Sequence, residues 1–297
     1  MDAPAYEVLD PRFAPCVVPG GRAERLWTGG KWTEGPAWFD VGFLVWSDIP
    51  NDRMLLWDEA TNSTSIYRHP TNGSNGNTVD RHGRLITCEG LTRRVTRTEL
   101  SGEISVLASH YKGLRLRAPN DVVEKSDGTV WFTDPSYGSG QLGEGDDEVG
   151  GCHVYRLEPS TGEMRQMTDD MVMPNGLAFS PDERHLYIVD TGSTNFADGP
   201  NHIRRFSLAA DHSLTGGEVF AENAAKQFDG IRFDSDGHLW CAAEDGAHCY
   251  AADGTLIGKL KLPERGVNLT FGGREGKTLF LTATTSLYRV PVNARRP

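Results

Sequence analysis

Long apolar runs are missing from this chain of 297 residues. No stretch is long enough to span a membrane, and residues 1–10 have neither the basic start nor the apolar core of a secretory leader. The expectation is a cytoplasmic protein without a membrane partner. Amphipathic helical periodicity is missing too, which turns the reading toward strands. Basic charge is scarce, with 30 Lys and Arg against 41 Asp and Glu and a net charge of -11. That balance argues against a nucleic-acid partner, which needs a basic face, and agrees with a cation site. Cysteine is sparse: Cys16, Cys88, Cys152, Cys241 and Cys249 are an odd number with no CxxC pair, and read as free thiols in a reducing compartment.

What is present is a repeat. A turn carrying Asn, Asp or Glu beside Gly or Pro returns six times, each time followed by strand formers. Aligned on Glu34, Asn77, Asn120, Asn175, Asp229 and Asn268, the copies step by 43, 43, 55, 54 and 39 residues. After each comes a second strand, such as Phe43-Leu-Val-Trp-Ser-Asp, and four of the six end on an acid: Asp48, Glu89, Asp134 and Asp190. Third strands follow, and five repeats find a fourth. A strand-built period of roughly 40 to 50 residues predicts one four-stranded blade per repeat. The fold class is therefore all-β: a six-bladed β-propeller filling residues 1–297 as a single domain, with residues 1–22 as an extension ahead of the repeat. The sixth repeat lacks a fourth strand. Residues 23–28 can supply it and clasp the ring between its termini, which would otherwise leave an open sheet edge.

In such a ring the innermost strand of each blade starts at the face where the second strand ends. The polar residue of each repeat and the four closing acids then share one mouth. Crowded carboxylates repel one another unless a cation neutralises them. The candidate donors are all oxygens, anionic Glu34 and Asp229 with neutral Asn120 and Asn175, a set that suits Ca²⁺, then Mg²⁺ or Mn²⁺. Zinc normally recruits imidazole or thiolate. The plainer alternative is that these residues only make Asx-turns that open each blade. Asp234-Ser-Asp-Gly and Ser126-Asp-Gly read as hairpin turns, and Gly138-Ser-Gly lacks the context of a nucleophile elbow. His185 and His238 fall on the opposite face; His69 and His202 sit in loops that can approach the mouth.

Several longer stretches carry a resemblance over almost the whole chain: Trp32-Thr-Glu-Gly-Pro-Ala-Trp-Phe, Trp46-Ser-Asp-Ile-Pro-Asn, Ala118-Pro-Asn-Asp-Val-Val, Trp131-Phe-Thr-Asp-Pro-Ser-Tyr-Gly, Met173-Pro-Asn-Gly-Leu-Ala-Phe and Phe228-Asp-Gly-Ile. In these the chain resembles the SMP-30/gluconolactonase/LRE family, in particular its bacterial gluconolactonase branch. The resemblance implies a six-bladed propeller and one divalent metal, usually Ca²⁺ with Mg²⁺, Mn²⁺ or Zn²⁺ as alternatives, held by Glu34, Asn120, Asn175 and Asp229. It implies hydrolysis of a sugar lactone, an aldonolactone opened to its acid, with water as nucleophile. Asp229 is the first candidate base, followed by Asp134 and Asp190, and Asn120 joins Asp229 in the catalytic set. Asp134, Asp190, Arg117 and Tyr137 are the expected substrate contacts. Where animal lactonases place a substrate-touching Arg, two residues before the first ligand Asn, this chain has Ala118. Insertions at 138–150 and 191–201 follow second strands and are expected to overhang the mouth. Two rivals remain: phosphotriester hydrolysis on the same quartet, as in diisopropyl-fluorophosphatase-like propellers, and a calcium-binding scaffold without catalysis.

Overall fold

The computed structural model describes residues 6–137, 147–222 and 227–297. Its strands form a ring of six antiparallel blades, spanning 33–68, 74–108, 122–168, 174–222, 231–261 and 266–291. The innermost strands are Thr33–Phe39, Ser74–Val79, Val122–Glu124, Pro174–Phe179, Ile231–Phe233 and Gly266–Gly272. Second strands such as Leu85–Glu89, Val130–Asp134 and Leu239–Ala243 are buried along their whole length. Neighbouring blades cover both of their faces, so these segments read as continuous apolar runs and not as an alternation. The core is correspondingly divided into wedges between blades. In one, Trp131 and Val154 of blade three pack on Leu177, Leu186 and Ile188 of blade four.

Glycine in the repeated phrase has a specific task. A Cβ on Gly35 would lie 2.3 Å from the backbone oxygen of Asn75, on Gly76 2.5 Å from that of Asn120, and on Gly176 2.4 Å from that of Asp229. The inner strands approach so closely around the axis that each of these glycines makes room for the next blade's backbone. Gly76 N donates to Asn120 O at 2.7 Å, and Gly230 N to Val267 O at 2.9 Å.

Closure follows the expected route. Glu24–Thr28 pairs antiparallel with Ser286–Pro291, with Arg25 opposite Tyr288, and completes blade six. The sequence did not reveal a second stitch. Tyr6–Val8 adds a fifth strand to blade five, Tyr6 opposite Leu260. Between the two strands a 3-10 turn at Pro11–Cys16 drives Phe13 into full burial beside Gly258, where a Cβ would fall 2.0 Å from the Phe13 ring. The carbonyl of Cys16 accepts from Asn293 N and Ala294 N at 2.9 and 3.1 Å. Residues 6–22 are therefore more than an extension ahead of the repeat: they seal the seam between blades five and six.

Candidate metal and substrate site

Ladder register around the axis places six residues at equivalent positions: Glu34, Asn75, Asn120, Asn175, Asp229 and Val267. Two of the six differ from the sequence alignment. Asn77 and Asn268 lie past the ring, two residues beyond Asn75 and one beyond Val267. Asn77 is consumed by structure, donating to Gly35 O, Ser47 Oγ and Asn75 O at 2.9 to 3.0 Å and accepting from Thr87 Oγ1 at 2.8 Å. Asn268 donates to Glu34 Oε2 at 2.9 Å. The four expected ligands, Glu34, Asn120, Asn175 and Asp229, are all buried and all line one cavity of about 410 Å³.

The electrostatics of this floor are strained. Burial pushes the Glu34 carboxyl well above the usual carboxylate range, and the neighbouring charge of Asp229 pushes it further, against the hydrogen bond from Asn268. Burial likewise holds Asp229 up at about 7, opposed by the Arg265 guanidinium and assisted by the charge of Asp121. Asp121 is a third buried acid, 3.6 Å from Arg232 Nη1, and it was not singled out from the sequence. Two carboxylates and two carboxamides, all buried and lining one cavity, form an all-oxygen donor set with surplus negative charge. These residues fit a hard divalent cation.

A pH dependence follows for the cation-free protein. A carboxyl whose folded pKa lies above its unfolded value contributes stability that is fully present below the unfolded pKa and lost as pH rises through the folded one. For Asp229 that window runs from the unfolded value of about 4 to about 7. The melting temperature of chelated wild-type protein should fall relative to Asp229→Asn across this window, and a divalent cation should restore it. A difference between the two proteins that does not change with pH would show that Asp229 is not held as the geometry indicates.

The closing acids do not reach the cavity, which corrects the rim role expected of them. Asp134 turns both oxygens onto the strand entry, accepting from Arg117 N at 2.8 Å and Ala118 N at 2.6 Å, with its pKa pushed up to about 7 chiefly by burial. Asp190 does the same for Val172 N and Met173 N, at 2.8 and 2.9 Å. Asp48 accepts from Lys31 N at 3.0 Å and pairs with Arg53. These acids staple each second strand to the loop leading into its own inner strand. Arg117 points its guanidinium at Asp147, 2.5 Å away, and does not line the cavity. Tyr137 does line it, its hydroxyl hydrogen-bonded to Thr191 Oγ1 and, at 3.3 Å, to Met173 O. Of the two insertions, 191–201 brings Thr191 and Thr194 to the cavity, whereas 138–146 of the other lies outside the described residues. No histidine lines the cavity among the described residues, which excludes His69 and His202 from it. Asp234 makes the expected turn, accepting from Asp236 N and His238 N.

Residues missed in the sequence complete the walls. Arg265, on the approach to the innermost strand of blade six, stands 3.5 Å from Asp229 Oδ2 and lies over the Trp32 ring at 5.2 Å. Ile49, Pro50, Leu91 and Phe228 add apolar lining. Trp32 stands at the head of one quoted motif, Trp32-Thr-Glu-Gly-Pro-Ala-Trp-Phe, where no role was assigned to it. Nothing in the repeat marks Arg265, since it precedes the phrase in a single blade.

Comparison with known proteins agrees with this architecture. A gluconolactonase of Zymomonas mobilis is 32% identical over 285 residues, covering 88% of this chain and 78% of that protein. A 6-deoxy-6-sulfogluconolactonase of Pseudomonas putida is 27% identical over 249 residues, covering 81% and 79%. The solved structure of a gluconolactonase from Xanthomonas campestris superposes with a TM-score of 0.90 at 33% identity, covering 97% of this chain and 94% of that one. The family model for the SMP-30/Gluconolactonase/LRE-like region matches residues 32–285, and the chain belongs to that family.

Proposed function

We propose that this chain is a divalent-cation-dependent hydrolase of sugar lactones, opening an aldonolactone ring to the aldonic acid, with Ca²⁺ the cation its donor set suits best. The observation that carries the reading is the buried convergence of Glu34, Asn120, Asn175 and Asp229 on the floor of one cavity. A cation held there would supply Lewis-acid polarisation of the lactone carbonyl. Asp229 takes the proton of the attacking water as the new C–O bond forms. As the ring C–O bond breaks, the proton passes to the departing ring oxygen, which leaves as a hydroxyl. Arg265 offsets the charge on Asp229 before the proton arrives and after it leaves. The names of the relatives, lactone hydrolases of sugar acids, support the same reaction class.

The apolar wall of Trp32, Ile49, Pro50, Leu91 and Phe228 also favours a second reading, hydrolysis of phosphotriesters on the same quartet. One experiment separates them. Chelated protein, with Ca²⁺, Mg²⁺, Mn²⁺ or Zn²⁺ returned singly, is assayed on five- and six-membered sugar lactones and on a phosphotriester. Lactone turnover that vanishes on chelation and returns with one cation is the expected result. Full lactone activity in excess chelator sinks the cation requirement. Turnover of the phosphotriester alone selects the second reading, and no turnover of either leaves a binding scaffold.

A further inference from the structure

At the end of blade five opposite the cavity, the hairpin between Ile231–Phe233 and Leu239–Ala243 meets the N-terminal seal. A second set of donors converges there, of different chemistry from the cavity floor. One ligating atom each from Cys16, Asp234 and His238, a thiol sulfur, a carboxylate oxygen and an imidazole nitrogen, all lie within 4.8 Å of one another. Cys16 Sγ stands 3.7 Å from His238 Nδ1, and Asp234 Oδ2 stands 3.0 Å from the same nitrogen. A neutral ring carries one proton and can give it to only one of these neighbours.

Each of the three is held from behind. Asp234 Oδ1 accepts from Asp236 N and His238 N at 3.0 and 2.9 Å, and Oδ2 accepts from Trp240 Nε1 at 2.9 Å. Such outer contacts orient a ligating carboxylate. Cys16 is fixed through its carbonyl by Asn293 N and Ala294 N, and Ser235 N donates to Arg295 O at 2.8 Å, so hairpin, seal and C-terminal residues share one junction. Cys16 and Asp234 are buried, while the His238 side chain is 20% exposed and gives an ion its way in. Zinc bonds of about 2.3 Å to sulfur and about 2.0 Å to nitrogen or oxygen, at tetrahedral angles, set S–N and N–O edges of about 3.6 and 3.3 Å. The spacings found here differ from those edges by a few tenths of an ångström.

We propose that Cys16, Asp234 and His238 form a second metal site, selective for Zn²⁺, that pins the N-terminal seal to blade five. The thiol releases its proton to solvent on binding, and the imidazole keeps one proton, at Nε2. Water takes the fourth position. Thiolate and imidazole suit a borderline-soft cation and not Ca²⁺, so this site and the all-oxygen cavity sort cations by ligand type. The proposal stands independently of the lactonase reading.

The test takes fully reduced, chelated full-length protein, saturates it with Ca²⁺ to fill the cavity, and titrates it with Co²⁺ as a spectroscopic substitute for Zn²⁺. The expected result is one Co²⁺ bound with a thiolate charge-transfer band and tetrahedral d–d bands, all displaced by Zn²⁺. Zn²⁺ should also raise the melting temperature of the Ca²⁺-saturated protein, because it binds only the folded chain at this junction. Cys16→Ser should abolish the charge-transfer band. His238→Gln, at a half-buried position and able to keep a hydrogen bond to Asp234, should weaken Zn²⁺ binding by at least the roughly tenfold that loss of an outer-shell partner costs. Neither variant should change Ca²⁺ affinity. A Ca²⁺-saturated wild type that develops no thiolate band would overturn the proposal. So would a band that survives Cys16→Ser, its sulfur then coming from another cysteine such as Cys249, and so would Zn²⁺ affinity unchanged in His238→Gln.

Discussion

Asp229→Ala is expected to abolish lactone turnover and leave all six blades folded. The substitution removes one of the two anionic donors and the group placed to accept the proton from water, and general-base loss alone is worth about a hundred- to ten-thousandfold. The fold should tolerate it, because Asp229 is a buried carboxyl repelled by Glu34 and Asp121, and folding does not depend on its charge. Glu34→Ala should inactivate equally but cost more stability. Glu34 Oε2 accepts from Gly35 N at 2.8 Å and Asn268 Nδ2 at 2.9 Å, and both buried donors lose their partner. Glu34→Gln separates the charge from those hydrogen bonds. Asn120→Ala and Asn175→Ala should weaken cation binding less, since water can replace a neutral donor. Turnover, calorimetric Ca²⁺ affinity and thermal melting read these effects separately. Near-normal activity in Asp229→Ala with cation bound would mean that the chemistry occurs elsewhere.

Deleting residues 1–28 should have the largest effect on stability. The truncated chain loses the outer strand of blade six, the fifth strand of blade five, and Phe13, Cys16 and Val17 from the wedge between them. Phe13 alone is a fully buried ring, and truncating such a residue costs about 3–5 kcal/mol. The exposed Ser286–Pro291 edge would add unpaired backbone to uncovered apolar surface, so aggregation or a much lower melting temperature is the expected outcome. Deleting only residues 1–10 should be milder but not silent. It removes the pairing of Tyr6–Val8 and the Glu7–Lys261 ion pair, while Phe13 and the clasp remain. A soluble, active protein lacking residues 1–28 would show that the ring closes by another route.

The propeller was legible because each blade repeats both a turn phrase and a buried second strand, so six weak signals reinforce one another. The quartet was legible for the same reason, four polar residues recurring at one place in the period. What failed did so for identifiable causes. Asn77 and Asn268 are polar residues two positions and one position past the ring, so an alignment on polarity picks them where the ring holds Asn75 and Val267. Asp134 and Asp190 end at the correct face, but spacing cannot tell a carboxylate turned outward from one folded back onto backbone N–H groups. Tyr6–Val8 is three residues long, too short for any alternation to appear. Arg265 belongs to one blade alone, and a reading built on repetition passes over what occurs once.

Val267 occupies the one ring position without a polar side chain, between Asp229 and Glu34 in ring order. Six like residues would offer a bound sugar ring six equivalent orientations. Here the circuit runs anion, amide, amide, amide, anion, aliphatic, a sequence that differs when read in the opposite direction once Arg265 is counted beside Asp229. A lactone with hydroxyls in one configuration meets those groups in matching order. The broken symmetry of the ring thus gives the cavity one orientation for its ligand, which sixfold repetition by itself would not.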